Sequence, residues 1–405
     1  MDELTPAERV PAAPASAEEP AAEEPVAEEP VAEEPVAEEP VAEEPAAEEP
    51  PADPADSAGA PIVTRRSLAI LLALPLHAAL LWSLGLAPGA VEGLYGGLLY
   101  PVIVTLQSLL DQTPLSPGLC ILALLLLGLG WRARGRPRPL RRFAWGLLVA
   151  TAAIGHLFPL CWGLNYWRPA IAERVGLDLS PPRRAELEAT AGLVCAATNG
   201  ARVPWPARTD PRELDARIDR AVRDFLAAER LGEPAPLRRR VRHLLPGMML
   251  VGGWSGVCIP WTTEGWVDPA IDPHVLPVAI AHEKAHQAGF ARESDADLVA
   301  FLALLRSDDA QLRYAALFDA ADLACLHTPV PLSAEVLQDA GVAIKREEAV
   351  KVPVVEQVTK VAYDTYLKVN AVEPGIDDYV RVERLIHAWL KLHPEDRARL
   401  EALRR

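Results

Sequence analysis

Apolar stretches long enough to cross a membrane occupy much of the first half of the chain and constrain its fold most strongly. Residues 67–87 contain no formal charge. About 20 such residues, at roughly 1.5 Å per residue in a helix, cross a hydrocarbon core roughly 30 Å thick. Comparable stretches lie at about 115–131 and 143–162. The sequence therefore predicts a membrane region, residues 67–162, with three transmembrane helices embedded in the lipid bilayer.

The arginines around these stretches predict the orientation of the chain. Arg65 and Arg66 precede the first stretch, and six arginines lie within residues 132–142, between the second and third. Short loops rich in arginine stay on the cytoplasmic side. We therefore expect a cytoplasmic N terminus and an extracytoplasmic C-terminal domain. The apolar stretch 93–110 would force the arginine loop outward if it spanned, so we interpret it as an amphipathic segment on or near the outer surface.

An acidic repeat precedes the membrane region. Residues 1–56 hold 19 of the 56 acidic residues and one of the 40 basic ones, and Glu-Glu-Pro recurs every five residues from Glu18 to Pro50. This composition cannot bury enough apolar surface to offset the entropy of ordering. We predict that residues 1–66 form a disordered tail, either an extended spacer or a docking segment for a cytoplasmic partner. The remaining 39 basic and 37 acidic residues nearly balance, which argues against nucleic-acid binding.

The segment His-Glu-Lys-Ala-His, residues 282–286, carries the strongest chemical signal. A helix that starts near Pro277 and ends at Gly289 places His282 and His286 four residues apart on one face. Two neutral imidazoles with this spacing can bind one tetrahedral Zn²⁺, and Glu283 can reach a metal-bound water as a general base. The sequence therefore predicts a zinc site with Glu283 as its catalytic residue.

A catalytic zinc ion needs a third protein ligand. In the spacing HExxHxxGxxH that ligand would fall at Arg292, which cannot coordinate a cation. Glu293 follows directly, and we interpret it as the third ligand, with Asp295 and Asp297 left as alternatives. The run Glu-Ser-Asp-Ala-Asp resembles the Glu-x-x-Ala-Asp helix of gluzincin peptidases, which include membrane-embedded CAAX-type proteases. That resemblance implies that Asp297 hydrogen-bonds a ligand histidine without touching the metal.

The region after residue 162 is expected to be mostly helical. Residues 248–267 are the exception, because β-branched and aromatic residues alternate there with glycines. This segment suits an edge strand beside the histidine helix or an internal hairpin, and Trp261 and Glu264 are site candidates if it lines the cleft. The predicted fold class is α+β, mostly helical, with N-terminal transmembrane helices followed by a zincin-like metallopeptidase domain at 163–405.

Hydrolysis of a peptide bond also needs a donor that stabilises the oxyanion. Candidates for that donor in the region after residue 162 are Tyr314, Tyr366, Tyr379 and His327. The sequence does not decide among them.

Four blocks of the chain resemble, in order, those of a family of bacterial multi-pass membrane proteins of unknown function. They are WGLNYWRPAIAERVGL (162–177), the strand segment ending in PWTTEG (260–265), LPVAIAHEKAHQAGFARESDAD (276–297) and YLKVNAVEPGIDDYVRVERLI (366–386). Family members show Glu-Ala-Asn where this chain has Asp295, Ala296 and Asp297, a difference that leaves the expected ligands intact. The resemblance implies a gluzincin-like zinc metallopeptidase in the bacterial inner membrane.

Together these observations predict a membrane-anchored zinc metallopeptidase acting on a peptide or protein substrate on the extracytoplasmic side. Two alternatives stay open. One is a non-enzymatic membrane sensor or scaffold with a structural metal site. The other is a hydrolase of a non-peptide bond in the cell envelope.

Overall fold

The structure is a computed structural model that describes residues 61–85, 87–205, 209–232, 239–370, 372 and 381–404. Residues 1–60 of the acidic tail and Tyr379 lie outside the described residues, so the predictions made for them stay predictions. The predicted tail reaches residue 66, whereas the structure already places Arg65 and Arg66 in the first helix. The described part is mostly helical with one small sheet, in agreement with the predicted α+β class.

Long helices form at all three positions where the sequence predicts transmembrane segments. The helices of this region are α1 (Arg65–Gly85), α2 (Pro88–Ala90), α3 (Tyr100–Leu110), α4 (Pro117–Ala133) and α5 (Pro139–Cys161), with a π-helical segment, Val91–Leu99, between α2 and α3. Among the described residues, two helical stretches are long and apolar enough to cross a membrane, Pro88–Leu110 and Pro139–Cys161, and the apolar helix α4 is shorter.

Helices α1 and α5 run parallel to each other. Near their N-terminal ends the indole N–H of Trp145 donates to Ser67 Oγ at 3.2 Å. Further along, the rings of His77 and His156 stack, with Nδ1 atoms 2.8 Å apart. Helix α4 joins α5 through the arginine loop and therefore runs in the opposite direction. The N-terminal arginines of α1 and the arginine loop consequently lie at the same end of this helix group.

Both ends of the stretch 88–110 contact residues at the other end of the group, where α5 finishes. Near its start, Glu92 pairs with Arg168 at 2.6 Å, and Tyr95 donates to the carbonyl of Leu160 at 3.0 Å. Near its finish, Gln107 donates to the carbonyl of Trp261 at 3.1 Å. Residues 88–110 therefore begin and finish at the end of the helix group where α5 finishes.

The domain after α5 is a bundle of helices around a small sheet. Its helices are α6 (Ile171–Val175), α7 (Arg184–Ala201), α8 (Pro211–Ala228), α9 (Leu276–Gln287), α10 (Glu293–Leu305), α11 (Ala310–Ala324), α12 (Ala334–Glu348), α13 (Pro353–Val369), α14 (Val382–Leu392) and α15 (Pro394–Leu403). The apolar run of α10 is buried on nearly all sides, which makes this helix the centre of the core.

Three short strands form the sheet: β1 (Val241–His243), β2 (Gly256–Ile259) and β3 (Glu264–Val267). The order is β1-β3-β2, with β1 parallel and β2 antiparallel to β3. The buried central strand β3 packs on α9. Strand β2 forms an edge of this sheet, so the segment 248–267 supplies both the edge strand and the hairpin that the sequence offered as alternatives.

A buried carboxylate ties the membrane region to this sheet. Asp111, between α3 and α4, is 1% exposed and accepts hydrogen bonds from the backbone N–H of Arg240 at 3.0 Å and from Arg242 at 3.1 Å. Arg239 lies 3.4 Å from the same carboxylate and also donates to Thr263. The connection fixes β1 relative to the loop that follows α3.

Candidate metal centre

Helix α9 carries the His-Glu-Lys-Ala-His segment and forms where the sequence predicts it. Pro277 lies in the first turn, where its missing N–H breaks no helical hydrogen bond. Gly289 follows the last turn with a φ of +95°, a conformation that side chains other than glycine rarely adopt. The chain then turns directly into α10, whose first residue is Glu293. The tight turn brings the N terminus of α10 against the histidine face of α9.

Two imidazoles and one carboxylate converge between these helices. His282 Nε2 lies 3.0 Å and His286 Nε2 lies 3.4 Å from the same oxygen, Oε2 of Glu293. The ligand-type atoms of the three side chains all lie within 4.8 Å of one another. The structure thus brings together the three residues that the sequence suggested as metal ligands.

The other nitrogen of each imidazole is held by a separate acceptor. His282 Nδ1 lies 2.6 Å from Oδ1 of Asp297, and His286 Nδ1 lies 2.6 Å from the carbonyl of Phe290. An N–H that donates to a carboxylate or carbonyl fixes the ring and leaves Nε2 free to coordinate, as is typical of metal-binding histidines. Asp297 is thus the acceptor that orients the ring of His282.

Glu283 lies beside this cluster. No described residue forms a hydrogen bond with its Oε2 atom. Its side chain is 3% exposed, and a β-carbon at Gly256 on strand β2 would overlap its Oε1. Burial raises the pKa of Glu283 to about 7, although the two histidines act in the opposite direction. A carboxylate with a pKa near neutrality can both accept and return a proton, as a general base must.

Glu293 and the two histidines shift one another's pKa. Burial would raise its pKa, but His286 and His282 hold the pKa well below the usual range. For His282, burial lowers the pKa, but Asp297 and Glu293 more than compensate and raise it well above the usual value. The hydroxyl of Tyr363 on α13 donates a hydrogen bond to Oε1 of Glu293.

The sequence analysis missed Tyr363. The side chain also meets Trp254 edge-on, with ring centroids 5.8 Å apart, and stacks on Tyr366 at 5.8 Å. Both tyrosines are on α13, three residues apart on one face. That spacing, in a helix otherwise rich in valine, is the signal that points to Tyr363.

The cluster opens into a cleft of about 770 Å³. Strand β2 and the preceding residues Gly253–Ser255 form one wall, and α13 contributes Tyr363 and Tyr366. Faces of α7, α11 and α14 form the remaining wall. A cleft of this size that is flanked by an edge strand can accommodate a short extended peptide.

Other residues singled out from the sequence lie elsewhere. Tyr314 is buried and donates to Asp339, and His327 is half-exposed beside Glu383; neither lines the cleft. Trp261 packs on Phe158, while Glu264 accepts from Gly118 N. Asp295, one of the alternatives for the third ligand, accepts from Ile171 N. Of the suggested oxyanion donors among the described residues, Tyr366 alone lines the cleft.

A second group of metal-type side chains, His393, Glu395 and Asp396, has a structural explanation. Asp396 accepts hydrogen bonds from Arg306 and from the indole of Trp389. The ring of His393 stacks on Trp389, with centroids 4.0 Å apart. These contacts join α14, α15 and the end of α10.

Replacing Asp297 tests how the first histidine is oriented. We expect Asp297→Ala to weaken the affinity for a divalent metal ion such as zinc by about 10–100-fold, because His282 loses the acceptor that fixes its ring. Asp297→Asn should stay close to wild type, since the amide oxygen can accept the same hydrogen bond. Competition with a fluorescent zinc chelator measures both affinities. Equal affinities for wild type and the alanine variant would contradict this role.

The fold and the site together define a class: a mostly helical protein with apolar helices of membrane-spanning length and a group of two histidines and a glutamate that could hold a metal ion. Residues 95–387 match a family described as a protein of unknown function, DUF3810. Because the match covers more than half of the chain, the chain belongs to this family, as the sequence blocks indicated. No curated protein and no solved structure matches the chain.

Proposed function

We propose that this protein is a membrane-anchored zinc metallopeptidase. The observation that carries the proposal is the convergence of His282, His286 and Glu293 beside a buried Glu283 that has no described hydrogen-bond partner at Oε2. Two imidazoles and one carboxylate form a donor set typical of catalytic zinc, which keeps one position open. An HExxH helix, a tight turn and a second helix that carries a glutamate follow one another beside a sheet edge. This order of elements supports a zincin-like domain.

The donor set also favours zinc over the harder cations. Magnesium and calcium prefer sites built from oxygen ligands, whereas nitrogen and oxygen donors together suit zinc. A zinc ion held by these residues would polarise a carbonyl group and lower the pKa of a water molecule.

The side chains around the cluster have separate tasks in the proposed reaction. Glu283 accepts a proton from the attacking water at its free oxygen and returns it to the leaving amine. Tyr366 lines the cleft and supplies a hydroxyl near the developing oxyanion. The edge of β2 gives an extended substrate backbone a place to pair. Tyr363 and Asp297 hold ligands in position and take no part in bond cleavage.

Hydrolysis of a mixed peptide library by the full chain in mild detergent tests the proposal. We expect cleavage that a zinc chelator abolishes and added zinc restores. Bound zinc without cleavage of any peptide would favour the sensor or scaffold. Cleavage of isolated cell-wall material instead of peptides would favour the envelope hydrolase.

We infer further that α1, α4 and α5 span the membrane and that the domain is extracytoplasmic. The parallel arrangement of α1 and α5 supports this, because it places the arginine-rich ends together and away from the domain. The contacts at both ends of residues 88–110 support an interfacial position for that stretch, despite its length. Trp162, directly after α5, meets His286 edge-on at 5.8 Å, so the metal centre would lie close to the outer membrane surface.

Cysteine labelling tests this topology. In the full chain with its five native cysteines replaced by serine, Thr113→Cys and Gly135→Cys introduce single thiols at exposed positions. We expect a membrane-impermeant maleimide to label residue 113 in intact spheroplasts. Residue 135 should be labelled only after permeabilisation. Labelling of both positions from outside, or of residue 135 alone, would contradict the topology.

A further inference from the structure

Beyond the proposed function, and resting on it, we infer that the cleft binds a substrate with a lysine or arginine side chain near the scissile bond. The pocket for that side chain is the acidic part of the cleft wall formed by Asp319 and Asp322 of α11 and Glu383 of α14. These three carboxylates have no task in the proposed reaction.

The pocket lies on one face of α11 and opens into the same cavity as the metal centre. Ala316, Asp319, Ala320 and Leu323 all line the cavity, at the three- and four-residue spacing of a single helix face. The side chains of Asp319 and Asp322 are exposed to the cleft. Among the described residues, none forms a hydrogen bond or ion pair with either carboxylate. Glu383 lies 3.1 Å from His327.

The charge of the cleft favours a cation even with a divalent metal in place. The metal would offset two negative charges among Glu283, Glu293 and Asp297 and leave one. The carboxylates of Asp322 and Glu383 add to this, and Asp319 adds to it when ionised. Lys360, the one lysine among the described residues that line the cleft, is paired with Glu356 at 2.9 Å. The Oε2 atom of Glu283, in a side chain only 3% exposed, has no hydrogen-bond partner among the described residues and lines the same cavity, which indicates that the cavity receives a polar ligand.

The electrostatic environment of Asp319 supports the same conclusion. Desolvation by the surrounding walls, together with the carboxylates of Asp297 and Asp322, raises the pKa of Asp319 to about 7. Ionised carboxylates held together at such a site repel one another, and a guanidinium or ammonium group relieves that repulsion. Ala320 and Leu323 provide an apolar surface for the aliphatic part of a lysine or arginine side chain.

Peptide binding to the zinc-loaded Glu283→Gln variant tests the pocket without substrate turnover. The probes are fluorescein-labelled decapeptides of alanine, serine and valine, in which one arginine is moved through successive positions. Each has a partner in which citrulline, neutral and of the same shape, replaces the arginine. With the full chain in an uncharged detergent, we expect the best arginine peptide to bind about tenfold or more tightly than its citrulline partner.

The preference should depend on the pocket carboxylates. Adding Asp319→Asn and Asp322→Asn should reduce the arginine preference to about threefold or less, whereas the exposed Asp308→Asn, outside the cleft, should leave it unchanged. Equal binding of arginine and citrulline peptides, or binding of neither, would overturn the inference. If the wild-type protein nevertheless cleaves these peptides, the inference of an arginine pocket fails but the peptidase proposal stands. A carboxylate-dependent preference without any cleavage would support the pocket and contradict the peptidase.

Discussion

Replacing Glu283 with glutamine should reduce peptide hydrolysis by about 10²–10⁴-fold and leave the metal bound. Glutamine has nearly the same size as glutamate, so it fits the narrow space beside Gly256. It cannot accept the proton from water, and this loss removes general base catalysis. The ligands themselves are unchanged, because Glu283 interacts with His282, His286 and Glu293 electrostatically and not through a hydrogen bond.

The comparison requires kcat/KM and zinc content from the same preparations. Glu348→Gln, at an exposed position of α12, is the matched control and should behave as wild type. A Glu283→Gln protein that holds its zinc and hydrolyses peptides at the wild-type rate would show that another group is the base. Loss of zinc from the variant would show that Glu283 acts in metal binding.

Replacing Asp111 with alanine should lower the free energy of unfolding by about 3–5 kcal/mol. The substitution leaves the guanidinium groups of Arg239 and Arg242, whose side chains are 5% and 12% exposed, without their shared carboxylate. It also removes the acceptor for the backbone N–H of Arg240. Arg242 keeps its ion pair with Glu264 at 3.1 Å, but Arg239 has no second carboxylate partner among the described residues. A buried cation that loses its partner cannot recover hydration, which accounts for the large effect.

Chemical unfolding of the full chain in detergent measures this effect. Asp224→Ala, at an exposed position of α8, should change the unfolding free energy by about 0.5 kcal/mol or less. A change of similar size for Asp111→Ala would mean that the carboxylate does not hold the membrane region to the sheet.

Local sequence patterns were sufficient to predict the helices around the site. Helix α8, Pro211–Ala228, follows from such patterns, because Asp210 caps its first turn and its apolar residues recur with helical period. Gly289 has the left-handed conformation that its position after the histidine helix indicates. Such signals depend on residues a few positions apart, so they can be read without the tertiary structure.

The choice of the third clustered residue needed the fold. Glu293, Asp295 and Asp297 lie within five positions, and the sequence spacing did not match the HExxHxxGxxH pattern. In α10, residue 295 points to the opposite side from 293, while 297 returns to nearly the same side one turn later. Glu293 therefore meets both histidines, Asp297 reaches the far nitrogen of His282, and Asp295 contacts the backbone of α6.

Contacts between distant parts of the chain were beyond the sequence. Tyr363 meets Glu293 across 70 positions, and Asp111 meets Arg239 across 128. Strand β1 has three residues and owes its place to parallel pairing with β3. No local periodicity encodes such partners, because the pairing depends on how α13 and the loop after α3 pack.

We propose that His282 and His286 hold a zinc ion, and elemental analysis of the full chain measures that ion itself. After purification in mild detergent and reconstitution with zinc, the wild-type protein should contain about one zinc per chain. The doubly substituted His282→Ala, His286→Ala protein, confirmed as folded by circular dichroism, should contain almost none. A folded wild-type protein that stays free of zinc, or equal zinc in both proteins, would contradict the claim.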